Sequence, residues 1–150
     1  MQIKKVLLFI GIAFVLIGGI IAFDMLTRTQ HFLTCTFEVE TYQEKMTFEF
    51  YQKVLIKFDR EEFALTNSSN RDSLFEKYKE KMEGINNNDY FNYTATQEPN
   101  GIRAHTYIYL PINSELFNQY FSEDMDISRS STIDHIKEVF VGKGYKCSES

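Results

Sequence analysis

Leu33-Thr34-Cys35-Thr36-Phe37-Glu38-Val39 alternates apolar and polar side chains one by one, the period of a strand that buries a single face. The same beat resumes downstream. Met46, Phe48 and Phe50 alternate with Thr47 and Glu49 beyond a turn near Tyr42-Gln43-Glu44-Lys45, and Val54, Ile56 and Phe58 follow a tight turn at Gln52-Lys53. Three half-buried strands joined by short turns predict an antiparallel meander.

Beyond the meander the period changes. Asn67-Ser68-Ser69-Asn70 supplies helix-capping side chains, and Leu74, Phe75, Tyr78, Met82 and Ile85 fall on one helical face opposite Glu76, Lys77 and Glu80. Gly84 and the three asparagines at 86–88 end that helix. A hairpin follows, in which Phe91, Tyr93 and Ala95 alternate with polar residues up to Glu98-Pro99-Asn100-Gly101, a turn whose proline presets φ. Residues 102–110 return as a fifth strand. A short helix is expected over 114–121, and a last one from about Ser131 with Ile133, Ile136 and Phe140 on one face. The expected class is α+β, an antiparallel sheet in the order βββαββα with helices packed on one face.

The N-terminal end has a different composition. Lys4 and Lys5 precede residues 6–23, an uncharged run of 18 residues that as a helix would measure about 27 Å, close to a hydrocarbon core. This predicts a transmembrane helix ahead of the sheet, with the lipid bilayer as the partner of residues 6–23. The lysines place the N-terminus in the cytoplasm and the rest outside it. A cleaved signal peptide is the rival, but its apolar region is usually shorter and ends at a small-x-small site, for which Ile20-Ile21-Ala22 is a poor match. Residues 24–31 then read as a tether and 32–150 as an extracytoplasmic domain.

Charge and composition exclude several classes. The 150 residues carry −5 overall, against the basic footprint of a nucleic-acid binder. Beyond residue 23 there are 21 acidic and 14 basic side chains, an acidity that opposes flat docking on an anionic membrane. Phenylalanine, isoleucine, tyrosine and asparagine far outnumber alanine, the bias of an AT-rich, bacterial coding sequence. No GxSxG, HExxH or phosphate-cradling glycine loop occurs, which argues against an enzyme; no cofactor motif occurs either. His31, His105 and His135 are scattered through the chain. Asp124-Met125-Asp126-Ile127-Ser128 begins like a calcium loop, but Arg129 stands where glycine is needed and His135 where the bidentate glutamate is needed. No zinc spacing exists.

Cys35 and Cys147 bracket the domain. In an oxidising compartment they can form a disulfide, stabilising by roughly 4–5 kcal/mol in the chain-entropy model; two buried free thiols are the alternative. If Ile102, Ala104, Ile108 and Leu110 face the helices, then Arg103, His105, Tyr107 and Tyr109 share the outer face, and Tyr51 joins them. Tyrosines on a polar sheet face suit recognition of a partner, although aromatic cross-strand pairs also stabilise exposed sheets with no partner at all.

The lysine-led apolar run, Leu33-Thr34-Cys35-Thr36 in the first strand and Gly144-Tyr145-Lys146-Cys147 at the close resemble the YehR-like family of small bacterial lipoproteins and membrane-anchored proteins. That resemblance implies a mixed strand-and-helix domain over about 33–147, a Cys35–Cys147 disulfide and no assigned activity. This chain departs from the lipoprotein members in lacking an acylated N-terminal cysteine. The expected function is a membrane-anchored extracytoplasmic binding domain with an envelope protein partner. An accessory subunit of an envelope complex, or a hydrolase with dispersed catalytic residues, are the alternatives.

Overall fold

The computed structural model describes residues 30–82, 88–120 and 126–150. The meander is β1 (Gln30–Val39), β2 (Tyr42–Tyr51) and β3 (Val54–Leu65), followed by helix α1 (Ser68–Met82). Strands β4 (Phe91–Glu98) and β5 (Gly101–Tyr109) form the hairpin; α2 (Leu110–Tyr120), α3 (Ile133–Gly142) and β6 (Lys146–Glu149) complete the chain. All six strands belong to one sheet in the order β4-β5-β3-β2-β1-β6. The pairings β1·β6, β2·β3, β3·β5 and β4·β5 are antiparallel. Residues His31–Ser150 form one compact unit.

One face of the sheet carries the core. Leu33, Cys35, Met46, Phe48, Phe58 and Ile108 are buried against Phe117 of α2 and Ile136 and Phe140 of α3. Phe48 meets Phe58 and Phe140 with ring centroids 5.3 and 5.5 Å apart, contacts worth about 0.5–1.5 kcal/mol each beyond their buried area. A second cluster packs Tyr78, Leu74 and Phe75 of α1 on Tyr93, Ile102 and Ala104. Ile102, Ala104 and Ile108 alternate along β5, so all three described helices lie on the same side.

The expected architecture needs correction. The order is βββαββααβ, because a sixth strand pairs with β1. Lys146-Cys147-Ser148-Glu149 has no apolar alternation to announce it, and its strand conformation comes from pairing. Among the described residues no helix is long and apolar enough to cross a membrane; the apolar run at 6–23 and residues 24–29 of the expected tether lie outside the described residues, while Gln30 and His31, expected in the tether, begin β1. Tyr42-Gln43-Glu44-Lys45 is not a turn but the start of β2, since the turn is Glu40-Thr41. The third strand also differs. Leu55 and Phe58 are buried while Val54 is exposed, because the register shifts by one residue where Glu49 pairs Lys57 but Phe50 pairs Leu55. The extra residue, Ile56, is a β-bulge that turns each following side chain to the other face. The expected tight turn at Gln52-Lys53 has φ of 49° and 67°, the mirror-image turn that suits strand twist. The ends of the first helix at 83–87 and of the short helix at 121 fall outside the described residues.

The C-terminal segment is built by a stop signal. Tyr145 N–H donates to the Phe140 carbonyl and Gly144 N–H to the Val141 carbonyl, both at 3.0 Å, with Gly144 at φ 92°. This is a Schellman motif, completed by the Tyr145 ring against Phe140 at 5.0 Å. Gly144→Ala is expected to lower stability by about 1–2 kcal/mol, read as a lower urea midpoint at unchanged slope; an unchanged midpoint contradicts this account of the turn.

Strand β6 then runs back along β1. Phe32 and Ser150 exchange both backbone hydrogen bonds, at 2.9 and 3.0 Å. Alternation from that pair makes Cys35↔Cys147 a non-hydrogen-bonded pair, where Cα atoms approach most closely. Their Cα atoms are 4.1 Å apart and the two sulfurs are bonded.

Candidate functional site

The face opposite the helices can be read in rows from the pairing register. Thr96, Arg103, Phe63 and Gln43 lie side by side, then Thr94, His105, Glu61 and Lys45, then Asn92, Tyr107, Asp59 and Thr47, then Tyr109, Lys57 and Glu49. The strip from Arg103 to Tyr109 is about 20 Å long. The structure thus brings Arg103, His105, Tyr107 and Tyr109 together, while Tyr51, opposite Val54 beyond the bulge, sits at the hairpin end of the strip.

The charged groups of this face largely pair with one another. His105 Nε2 lies 3.0 Å from Asp59, Lys57 Nζ 2.7 Å from Glu49, and Arg103 Nε donates to Glu98 at 2.6 Å. The Arg103 guanidinium also lies over the Phe63 ring at 5.1 Å, and Lys57 stands 5.9 Å from the centre of the Tyr107 ring. The hydrogen bond to Glu49 raises the Lys57 pKa, and that to Glu98 raises the Arg103 pKa. Gln43, Lys45, Glu61, Phe63 and Arg103 border a shallow depression of about 210 Å³. Gly101 lies against this corner: a Cβ there would stand 2.4 Å from the Ala64 carbonyl oxygen and 2.8 Å from the Phe63 ring.

On the helix side lies a polar cluster that the sequence reading missed. Glu44 and Glu62, directly opposite each other on β2 and β3, are both buried. Arg60 stands between them, with Nε on Glu44 and Nη2 on Glu62 at 3.1 Å. Each carboxylate also accepts a phenol: Tyr145 O–H donates to Glu44 at 2.6 Å and Tyr42 O–H to Glu62 at 2.8 Å. The cluster ties β2 and β3 to the segment that follows α3. Its signal was the strand period itself, because Glu44 keeps phase with Met46 and Phe48, and Arg60 and Glu62 keep phase with Phe58. Three charged residues at core positions on adjacent strands call for mutual pairing.

The phenols are held as donors. Burial and the Glu62 and Glu44 charges push Tyr42 well above its ordinary value, and burial with the hydrogen bond to Glu44 does the same for Tyr145. A folded-state pKa above the unfolded one gives stability that is complete below about pH 10 and is lost as pH rises past it. Unfolding free energy is therefore expected to fall above pH 10, less steeply for Tyr145→Phe than for the unaltered chain. Equal slopes in alkaline urea titrations would contradict this role for Tyr145.

The histidines stay apart. His31 is exposed at the start of β1, His105 pairs with Asp59, and His135 Nε2 lies 2.9 Å from the Asp126 carbonyl. Among the described residues no three His, Cys, Asp or Glu side chains are grouped as metal ligands. Residues 124–125 of the calcium-like stretch lie outside the described residues.

Two solved structures share the fold. An NMR structure of a protein from Streptococcus pneumoniae TIGR4 superposes with a TM-score of 0.56 at 8% identity, over 81% of this chain and 86% of that one. The NMR structure of the Escherichia coli YehR protein superposes with a TM-score of 0.59 at 10% identity, over 80% of this chain and 91% of that one. The fold is YehR-like. At such identities the likeness speaks for the fold alone. No protein-family model matches the chain, and no curated protein matches it. Within this YehR-like fold the Gly144-Tyr145-Lys146-Cys147 stretch acquires a physical meaning: glycine turns the chain, tyrosine enters the buried cluster and cysteine fastens β6 to β1.

Proposed function

We propose that the chain is a binding domain working outside the cytoplasm, attached to the cell membrane through residues 6–23 with its N-terminus inside, and meeting an envelope protein partner with the open face of its sheet. The observation that carries this reading is the sheet itself. Three helices lie on one side, and among the described residues Arg103, His105, Tyr107 and Tyr109 line the other, offering tyrosine rings and hydroxyls beside fixed charges. A disulfide suits an oxidising compartment, and the lysines before the apolar run suit the stated orientation. The YehR-like fold, with the cysteine-bearing ends of the domain, supports kinship with the YehR family. Dispersed histidines and mutually paired charges favour binding over catalysis.

A photo-crosslinking residue at Tyr107, activated in intact cells, tests the proposal. A discrete protein adduct is expected, weakened by Arg103→Ala and absent when the probe replaces Val141 on α3. No adduct at Tyr107, or the same bands from both positions, would overturn it.

A further inference from the structure

The strands set one end of the domain apart. β1 begins at Gln30, β2 returns to the Gln52-Lys53 turn, and β5 finishes at Tyr109, which pairs with Lys57; Tyr90, just before β4, lies at the same end. Ile112, Tyr90 and Val54 there are 61%, 47% and 42% exposed. They belong to one surface. The Tyr90 and Tyr109 rings are 5.8 Å apart, Asn113 Nδ2 donates to the Tyr90 carbonyl at 3.1 Å, and Val54 borders a groove of about 430 Å³ with Ser114, Asn118 and the Ser128-Arg129-Ser130 stretch.

We infer that this end of the domain rests on the interfacial zone of the bilayer, an inference that stands on the membrane attachment proposed above. Six residues, 24–29, separate the apolar run from β1, and they reach at most about 22 Å. The ten residues of β1 measure about 33 Å, so the tether is too short to let the far end approach the bilayer first. The chemistry agrees with the covalent reach. Tyrosine rings and aliphatic tips beside a lysine at a hairpin tip suit the headgroup boundary. At the far end Val39, Leu65 and Val141 are exposed as well, but among the described residues no paired tyrosine rings accompany them. Val39 stands between Glu38 and Glu40, with Gln43 and Lys146 bordering the same depression. The acidity of the portion beyond residue 23 makes the contact apolar rather than a recognition of anionic headgroups.

The chain has no tryptophan, so a single introduced one reports its own surroundings. The full chain is reconstituted in phosphatidylcholine vesicles brominated near the headgroup, carrying Ile112→Trp, Tyr90→Trp, or the far-end variants Val39→Trp and Val141→Trp. Emission from the two near-end variants is expected to be quenched at least about twofold more than from the far-end pair, with a blue shift. Chains that float with the vesicles yet show equal quenching at all four positions overturn the docking and leave the attachment standing. Chains that do not float with the vesicles overturn the attachment, and the docking with it.

Discussion

Arg60→Met is expected to destabilise the domain by about 3–5 kcal/mol, the range for removing one partner from a buried charge cluster. Glu44 and Glu62 face each other across β2 and β3, and without the guanidinium each keeps a single phenol, from Tyr145 and Tyr42. Two buried carboxylates left side by side repel each other and lack most of the solvation they lost on folding. The cost lies in the orphaned charges, not in the removed contact. Arg60→Met combined with Glu44→Gln and Glu62→Gln is therefore expected to recover most of the loss, since replacing a whole buried cluster is often close to neutral. Urea denaturation of both variants provides the check. A loss below about 0.5 kcal/mol in the single variant, the scale of an ordinary surface substitution, would show that the cluster is solvated in practice.

Removing the Cys35–Cys147 disulfide is expected to cost about 2–5 kcal/mol. The bond closes a loop spanning 112 residues of sequence, and it fastens a four-residue edge strand that is otherwise held by its pairing with β1 and by the Lys137–Glu149 ion pair. Its loss should also be felt at a distance. Tyr145 lies two residues before Cys147, so a freed β6 loosens the phenol that Glu44 accepts. Cys147→Ser and Tyr145→Phe are expected to be non-additive in a double-mutant cycle, by more than the 0.3–0.5 kcal/mol or so within which independent sites add. Strict additivity would mean that the Schellman turn alone positions Tyr145.

The expectations that matched the structure rested on apolar periodicity. Leu33, Cys35, Met46, Phe48 and Phe50 show their buried phase openly, and so do Ile102, Ala104 and Ile108, which leave Arg103, His105, Tyr107 and Tyr109 on the other face. What was illegible depended on pairing across the sheet. Tyr42-Gln43-Glu44-Lys45 looks like a polar turn until Arg60 and Glu62 on the next strand are set beside Glu44. The Ile56 bulge is invisible in a one-dimensional pattern because Val54, Ile56 and Phe58 alternate acceptably without it. Residues 146–149 have no strand signature of their own and become a strand because β1 and a disulfide hold them there. Tyr51 keeps phase with Glu49 on the face opposite the helices, at its hairpin end.

The disulfide-closed domain is proposed to lie outside the cytoplasm. The most direct test of this claim is to treat intact cells with a membrane-impermeant thiol reagent, then compare the chain's mobility with and without reduction. The account predicts two unlabelled cysteines, a mobility shift on reduction and no dimer band. Labelling of both cysteines in intact cells would contradict the bond, and labelling that begins only after lysis would contradict the location as well.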